Sequence, residues 1–505
     1  MAFIDARTLP NAFEIEADLV IIGGGMAGIA MAREFAGTRT RIAVIESGGR
    51  DRDQQTQELL QGTASINAPG NAPRSFDRYL HESRVRALGG AGNVRGGKCV
   101  PLDESDFAER DWIPLSGWPT TRAGLQPYYD RACTLLEIAP FNRDFDRAPD
   151  PDRPSTVIGD GRDFFSAPRW FSPISGNNDR AKFDRFRSGF AEAGNIDVYL
   201  NANVVGMRRA RNGRSLAGLD IACLNGRRHA ARGRAYVLAT GGIENARLLL
   251  ASEIGGDWVG RCFQGHVNYG VSRAPDGRNS SIAISESRRN MTLYTNASGP
   301  HCTWASTLEG QRRYRMPNFT VTMFEESEPL PADAPAILAL SGSLDRGAAG
   351  PPARNMACYF KTEQLPNPQS RIVLDPTSTD ALGMPRVRLD WRFTSEDFDQ
   401  LDRAIDAFAA QVGAAGVGRI CWPGARARLV AVMSPARHHM GTTRMSVDED
   451  QGVVDAQGRV HGMRNLYVAG SSVFPTSGNA NPTLTIMALA IRMSDHLKRQ
   501  PGVLR

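Results

Sequence analysis

Hydrophobic and polar positions near the start of the chain follow the pattern of strands alternating with helices. Residues 18–25, DLVIIGGG, predict a buried strand that runs into glycines, and the following MAGIAMAREFA has the spacing of a helix. RIAVIESGG at 41–49 predicts a second strand, and RAYVLATGG at 234–242 predicts a third. This alternation is typical of a parallel sheet in an α/β domain.

Later segments follow different patterns. VYLNANVVGMRRA at 198–210 predicts one further strand, and residues 276–429 carry alternating runs such as RMPNFTVTMF and RVRLDWRF. Near the C-terminus, TLTIMALAIRMSDHLK predicts a helix with Asn481 as its N-cap and Pro482 at its first position. No apolar run approaches the roughly 20 residues that cross a bilayer, so we expect no membrane span.

Composition narrows the class of protein. The chain has 505 residues, 41% apolar and 23% charged, which suits a globular protein of two or three domains. The net charge of +6 is small, and no arginine-rich run carries interleaved aromatics, so no nucleic-acid partner is expected. Seven dispersed cysteines, never spaced C-x-x-C, argue against a metal site and suit a reduced compartment. With no secretory pattern at the start, a cytoplasmic enzyme is expected.

A glycine motif lies between the first predicted strand and helix. The full G-x-G-x-x-G falls on Gly23, Gly25 and Gly28, which would serve the tight turn, the approach of a pyrophosphate and close packing of helix on strand. The second strand ends on Glu46, 18 residues after Gly28, where an acid suits hydrogen bonds to ribose hydroxyls. The pattern predicts a dinucleotide site without separating NAD from FAD. The alternative is a glycine-rich turn that binds no dinucleotide.

Further stretches carry a family resemblance. RVRALGGAGNVRGG (84–97), VLATGGIENARLLLAS (237–252), EQLPNPQSRIVL (363–374) and NLYVAGSSVFPTSGNANPTLTIMALAIR (465–492) resemble the glucose–methanol–choline (GMC) flavoprotein oxidoreductases. The last stretch is most similar to the branch that contains the pyranose oxidases. The resemblance implies FAD, and an α/β fold (α+β overall) in which a discontinuous Rossmann-like FAD domain is interleaved with a substrate domain built on a large antiparallel sheet.

The resemblance also implies domain limits. Residues 14–160, 196–275 and 430–500 are expected to form the FAD-binding domain, and residues 161–195 and 276–429 the substrate-binding domain. Within the latter, residues 328–354 are rich in Pro, Gly and Ala. We expect a surface loop there, with a lid over the pocket as the alternative.

In the pyranose oxidases, the loop that matches GGAGNVRGG carries a histidine bonded covalently to the flavin. Alignment of the glycines places Val94 at that position, and valine cannot form the bond. The resemblance therefore implies FAD held non-covalently. Besides the glycine motif and Glu46, the flavin contacts that it implies are Gly90, Asn93, Val94, Val205, Gly470, Ser471, Asn481, Pro482 and Thr483.

The segment ARHHMGTTRM holds two adjacent histidines, His438 and His439, whose side chains would point to opposite faces of an extended chain. The family's H-x-x-G motif, with Gly441 as its glycine, matches His438. The family's second polar residue matches Asn481 in GNANPT, with Asn479 as the fallback. His439 is expected to be structural, and so is His266.

These residues imply a mechanism. Neutral His438 would accept the hydroxyl proton of an alcohol while a hydride moves to flavin N5, and Asn481 would hold the same oxygen. Activity should therefore fall when low pH protonates His438.

The predicted function is FAD-dependent oxidation of a hydroxyl of a sugar or glycoside to a carbonyl. The alternatives are a GMC oxidoreductase of sterols or simple alcohols, a redox-neutral GMC-like lyase, and a flavin-binding scaffold without turnover. The electron acceptor is left open between O2 and a quinone or carrier protein. The resemblance to pyranose oxidases also suggests a homo-oligomer.

Overall fold

A computed structural model describes residues 3–141, 162–190, 192–269, 281–284, 301–325, 354–414, 418–421, 434–500 and 502. Its strands are β1 (Phe3–Asp5), β2 (Glu14–Glu16), β3 (Leu19–Ile22), β4 (Ile42–Ile45), β5 (Gly62–Asn67), β6 (Arg74–Ser75), β7 (Lys98–Cys99), β8 (Phe164–Phe171), β9 (Ile196–Leu200), β10 (Asn203–Arg209), β11 (Leu216–Ala222), β12 (Arg228–Arg232), β13 (Ala235–Leu238), β14 (Val267–Tyr269), β15 (Ser281–Ile284), β16 (His301–Ser306), β17 (Phe319–Glu325), β18 (Arg354–Thr362), β19 (Arg371–Thr379), β20 (Pro385–Arg392), β21 (Gly418–Cys421), β22 (Ser434–Pro435) and β23 (Leu466–Val468). Its helices are α1 (Met26–Phe35), α2 (Gln54–Glu58), α3 (Arg78–Glu82), α4 (Glu104–Phe107), α5 (Arg122–Leu135), α6 (Arg180–Ser188), α7 (Glu244–Ala251), α8 (Leu308–Tyr314), α9 (Ser395–Ala414) and α10 (Thr483–Arg499).

A six-stranded parallel sheet forms the centre of the cofactor half, in the order β1-β9-β4-β3-β13-β23. Strands β3, β4 and β13 are buried along their whole length, which explains why their sequences are apolar runs rather than alternating ones. Helix α1 leads from β3 to β4 and packs against α10. Because β4 and β13 lie on opposite sides of β3, a crevice opens at the carboxyl end of β3.

A second large sheet lies beside it. Nine strands take part, β21-β15-β18-β17-β16-β8-β7 with β14 paired to β18 and β22 paired to β14, and its described pairings are antiparallel. The parallel sheet and this antiparallel sheet together confirm the predicted fold class. The domain division itself stays a prediction: β7 and β14 come from segments assigned to the FAD domain, yet they pair with the large sheet.

Two local expectations differ from the structure. The strand predicted over 198–210 is two strands of different sheets, β9 and β10, because Asn201 turns the chain with φ 56°; asparagine tolerates this left-handed conformation better than most residues. Helix α10 begins at Thr483 rather than Pro482, and the Asn481 side chain does not cap it. Residues 328–353 of the predicted loop or lid lie outside the described residues.

Among the residues that the structure describes, no helix is both long and apolar enough to cross a membrane.

Candidate active site

A cavity of about 660 Å³ lies at the carboxyl ends of neighbouring parallel strands. Ile22 ends β3 and Gly23 follows it, Glu46 follows β4, Ala239 follows β13 and Gly470 lies just beyond β23, and all of them line the cavity. The predicted site residues that line the cavity are Gly23, Gly25, Glu46, Gly90, Val94, Val205, His438, Gly470, Ser471, Asn481, Pro482 and Thr483. Gly28 and Asn93 lie behind the lining.

The three glycines of the G-x-G-x-x-G motif have different structural roles. Gly23 has φ 107°, which favours glycine, and a Cβ on Gly28 would lie 2.0 Å from the Gly23 carbonyl oxygen. A Cβ on Gly25 would meet no protein atom closer than the Ala239 carbonyl oxygen at 3.9 Å. Gly25 is also the N-cap of α1 and makes no side-chain cap, so the first N–H groups of α1 can serve an anion. Gly28 therefore serves packing, while Gly25 keeps a space beside the helix end open.

Glu46 is 5% exposed and shapes the same end of the cavity. Its carboxylate accepts hydrogen bonds from the backbone N–H of Gly24 at 2.7 Å and of Gly48 at 2.8 Å. Burial raises the pKa of Glu46, and these two hydrogen bonds oppose the shift. The carboxylate thus holds the glycine turn, and its further lone pairs can accept hydrogen bonds from ligand hydroxyls.

An arginine cluster that the sequence did not suggest lines the cavity as well. Arg84 and Arg86 lie 2.5 and 2.8 Å from the two carboxylate oxygens of Glu244, and Arg247 lies 2.8 Å from Asp380. Burial by itself would raise the pKa of Glu244, but the three arginines lower it to about 2. Three cations against two carboxylates leave one excess positive charge, which suits a phosphate-bearing ligand.

The glycine-rich loop at 89–97 forms another wall. Val94 lines the cavity with a side chain that is 41% exposed, although it is apolar. The Asn93 amide instead donates to the carbonyls of Leu88 at 3.1 Å and Gly90 at 2.9 Å, so Asn93 braces the loop from behind. Val94 offers an apolar contact to a ring and no atom that can form a covalent bond to it.

Buried nitrogen atoms along the cavity have no hydrogen-bond partner within the described structure. They are Nε of Arg86, Nε and Nη1 of Arg95, and Nε2 of His439. Buried polar atoms without a partner are costly unless a ligand meets them. Together with the open space beside Gly25, the Glu46 carboxylate and the apolar Val94, they fit FAD, which carries phosphate oxygens, ribose hydroxyls and an aromatic ring.

The two adjacent histidines point in different directions, as an extended segment requires. The His438 ring meets the His266 ring at 4.8 Å between centroids and 86° between planes. The His439 ring packs edge-on against Tyr79 at 5.5 Å and beside Phe263 at 6.0 Å. Burial first, and the ammonium of Lys361 second, lower the pKa of His438 to about 3. His438 is therefore a neutral imidazole over most of the working pH range.

His266 is completely buried behind His438. Its Nδ1 lies 2.7 Å from Nδ1 of His438, and its Nε2 lies 3.3 Å from the Ser477 carbonyl oxygen. The two histidines meet because residues 264–266 run antiparallel to residues 436–440, with Gln264 and Met440 exchanging both backbone hydrogen bonds. A chain of contacts therefore connects the Ser477 loop, His266 and His438.

Asn481 lines the cavity near His438, and its amide oxygen accepts a hydrogen bond from Nζ of Lys361 at 2.8 Å. Lys361 is 6% exposed, on β18 of the large sheet. The fallback residue Asn479 does not line the cavity, and its amide donates to Asn318 at 2.5 Å. Of the two asparagines, Asn481 lines the cavity and Asn479 does not.

Sequence reasoning does not point to Lys361, and it assigns His266 a structural role. Lys361 is one of only four lysines in a chain that otherwise uses arginine, and it directly precedes the stretch TEQLPNPQ. The rarity of lysine in this chain is the sequence feature that could have drawn attention to Lys361. Nothing in the spacing of residue 266 or 361 from residue 438 or 481 indicated contact, because separate elements bring them together. In the described residues, no group of three or more His, Cys, Asp or Glu side chains could hold a metal ion.

Comparisons with known proteins agree with this geometry. Residues 366–490 match the family described as GMC oxidoreductase. The 6'''-hydroxyparomomycin C oxidase of Streptomyces lividus is 24% identical over 94% of this chain and 90% of its own length. The C-glycoside 3-oxidase of Arthrobacter globiformis is 37% identical over 25% of this chain and 23% of its own. The structure of pyridoxine 4-oxidase from Mesorbium loti superposes with a TM-score of 0.56 at 18% identity, covering 96% of this chain and 99% of that one.

The family match covers the segment that contains His438 and Asn481, the two residues near Lys361. The fold shared with pyridoxine 4-oxidase extends over nearly the whole chain. The cavity fits the FAD that this family uses. Residues 366–490 therefore carry the C-terminal domain of the GMC oxidoreductases, a family of FAD-dependent enzymes that oxidise alcohols, and the whole chain shares the fold of the solved pyridoxine 4-oxidase.

Proposed function

We propose that the protein oxidises a hydroxyl group of a sugar or glycoside to a carbonyl. The observation that carries the proposal is one cavity lined both by the nucleotide-binding features, Gly25 and Glu46, and by His438 and Asn481. Two of the relatives are named as oxidases of hydroxyparomomycin C and of a C-glycoside, which supports a sugar-like substrate.

Alcohol oxidation removes a proton from oxygen and a hydride from the adjacent carbon. Bound FAD supplies the two-electron acceptor for that hydride. His438 accepts the hydroxyl proton, since its lowered pKa keeps the imidazole neutral and able to act as a base. Asn481 holds the same oxygen, which orients the C–H bond. The buried ammonium of Lys361 favours negative charge that develops on this oxygen.

FAD is proposed to bind non-covalently, with Gly23, Gly25, Glu46 and Gly90 at its nucleotide and pyrophosphate portions and Val94 against its ring. Val205, Gly470, Ser471, Pro482 and Thr483 complete the contacts that we propose. The Ser471 hydroxyl already donates to the His439 carbonyl at 2.7 Å, so this residue offers its backbone rather than its side chain. The electron acceptor is proposed to be O2 or a quinone or carrier protein, and a homo-oligomer is the proposed assembly.

Anaerobic mixing tests the function. The purified holoenzyme is mixed with monosaccharides, glycosides, simple alcohols and a sterol, and the flavin absorbance is followed. We expect a sugar or glycoside to bleach the flavin, and His438→Ala to slow the bleaching by about 10²- to 10⁴-fold. His461→Ala is the matched control, because His461 contacts the Ser446 carbonyl at 3.1 Å and does not line the cavity.

Each outcome of this experiment supports one of the candidate functions. Bleaching by a simple alcohol or the sterol alone would replace the sugar assignment. A flavin that dithionite reduces but no alcohol bleaches would contradict the proposal and favour a redox-neutral lyase. Air admitted after bleaching separates an oxidase, whose colour returns at once, from an enzyme that needs a quinone or carrier.

A further inference from the structure

We propose that His266 and Lys361 are positioning residues that determine which atoms of His438 and Asn481 face the cavity. Each contacts one end of a side chain that lines the cavity, and neither lines the cavity itself. The catalytic consequence rests on the proposed alcohol oxidation, but the hydrogen-bond arrangement can be measured without it.

The His266 contacts select a tautomer of His438. The Ser477 carbonyl oxygen can only accept, so Nε2 of His266, at 3.3 Å, carries a proton and donates to it. Complete burial disfavours the charged form of His266, and a neutral imidazole has one N–H, which leaves Nδ1 of His266 bare. The contact of 2.7 Å between the two Nδ1 atoms then needs its proton on His438. His438 is thereby the Nδ1–H tautomer, and its Nε2 presents a bare lone pair.

Lys361 has the corresponding effect on Asn481. An ammonium group only donates, so the atom of Asn481 that it contacts at 2.8 Å is the amide oxygen. The NH2 group of Asn481 is therefore turned away from Lys361. Because Asn481 lines the cavity, that NH2 group is the donor available to a bound molecule.

Together the two contacts give the site one acceptor, on His438, and one donor, on Asn481. A hydroxyl satisfies both at once, since it donates its proton to His438 Nε2 and accepts from Asn481. The proton that His438 accepts during oxidation then lies on its Nε2, so a carbonyl product, which only accepts, can accept from both His438 and Asn481. Once His438 has lost that proton again, the carbonyl keeps the Asn481 contact alone, so the resting site favours the alcohol over the ketone or aldehyde that it becomes.

The contacts are held by rigid parts of the fold. His266 is fully buried in the segment that pairs with residues 436–440, and Lys361 is 6% exposed on a central strand of the large sheet, between β14 and β17. Side chains fixed this way lose little freedom when they orient a neighbour.

The tautomer is tested by ¹⁵N NMR of holoenzyme labelled at histidine, without substrate. The His438 signals are identified by their loss in His438→Ala. We expect a bare Nε2 and a protonated Nδ1 on His438. His266→Asn, whose amide oxygen can replace Nδ1 as the acceptor, should keep this pattern. His266→Leu should give a mixture of tautomers.

The catalytic consequence is tested by stopped-flow flavin reduction at saturating substrate. His266→Leu and Lys361→Met should each slow reduction by about 10²-fold with little change in substrate affinity. The donor- or acceptor-retaining variants His266→Asn and Lys361→Gln should recover most of the rate. His266→Leu should cause no further loss of rate in a His438→Ala background. Likewise, Lys361→Met should cause no further loss of rate in an Asn481→Ala background.

A proton on Nε2 of His438 in the wild-type protein would overturn the His266 assignment whatever the substrate proves to be. If His266→Leu and Lys361→Met still slow flavin reduction as strongly in the His438→Ala and Asn481→Ala backgrounds, His266 and Lys361 act by another route. Failure of every alcohol to reduce the flavin would contradict the proposed function and leave the NMR result intact. Variants are compared only after their flavin content matches that of the wild type.

Discussion

The surroundings of His438 keep its imidazole uncharged. Burial is the larger cause of its lowered pKa, and the charge of Lys361 is the second. A pKa of about 3, against about 6.5 for an unperturbed histidine, keeps the imidazole that we propose as the base uncharged far below neutral pH. The fall in activity expected when His438 is protonated should therefore occur only in strongly acidic solution.

The pH dependence of flavin reduction checks this. We expect the limiting rate to stay level from neutral pH to about pH 5, because His438 is still neutral there. Lys361→Met removes a cation that disfavours the imidazolium, so the pH at which the rate falls should move upward. Lys182→Met, at a lysine paired with Glu137 on the surface, is the control and should not move it. Superimposable profiles for Lys361→Met and the wild type would contradict the assignment.

Val94 leads to a second prediction at this scale. Because its side chain cannot bond to the flavin, acid precipitation of the holoenzyme should release all of the flavin into the supernatant. Absorbance of pellet and supernatant measures the partition. Flavin that stays with the pellet would reveal a covalent attachment elsewhere in the chain.

The glycines between β3 and the first turn of α1 serve different functions. Gly28 has no room for a Cβ because the Gly23 carbonyl lies in its place, whereas Gly25 borders the cavity. The same residue type therefore supports helix docking at one position and ligand access at the other.

Alanine substitutions should separate these functions. Gly28→Ala forces α1 away from β3 and should destabilise the apoprotein by about 1–3 kcal/mol. Gly25→Ala should leave apoprotein stability near wild type and weaken FAD binding, since its methyl group enters the cofactor space. Thermal melting of the apoprotein and FAD titration distinguish the two, with Gly194→Ala, where a Cβ meets nothing within 4 Å, as control. Equal losses of stability at both positions would refute the division.

A buried ion pair ties distant parts of the whole molecule together. Arg110, after α4, contacts both oxygens of Glu363, after β18, at 2.6 and 3.0 Å, and both side chains are fully buried. Glu363 also accepts the backbone N–H of Asn318 at 2.7 Å. The pair therefore joins the segment before α5 to the large sheet, two residues beyond Lys361.

Breaking this pair should destabilise the folded protein. Glu363→Gln leaves a buried guanidinium without its carboxylate, a change that typically costs about 3–5 kcal/mol. Glu137→Gln makes the same chemical change in the exposed pair with Lys182 and should cost at most about 1 kcal/mol. Denaturant unfolding of both variants measures the difference, and equal midpoints would contradict it.

The sequence by itself determined the parts that depend on local pattern. Apolar runs predicted β3, β4 and β13 because both faces of a parallel sheet are buried, and the G-x-G-x-x-G spacing predicted the turn beside the cavity. Alternation along an extended segment predicted that His438 and His439 point in different directions, since that periodicity is a property of the backbone.

Only the tertiary structure decided what lies behind those residues. His266 reaches His438 across 172 positions of sequence, and Lys361 reaches Asn481 across 120. Such contacts follow from how strands pair and segments dock, and no local spacing encodes them. The sequence therefore identified several of the side chains that line the cavity but not the arginine cluster. The fold supplied the distant, buried neighbours of His438 and Asn481, and we propose that their hydrogen bonds set which donor and acceptor atoms face the cavity, because such contacts depend on how separate segments dock.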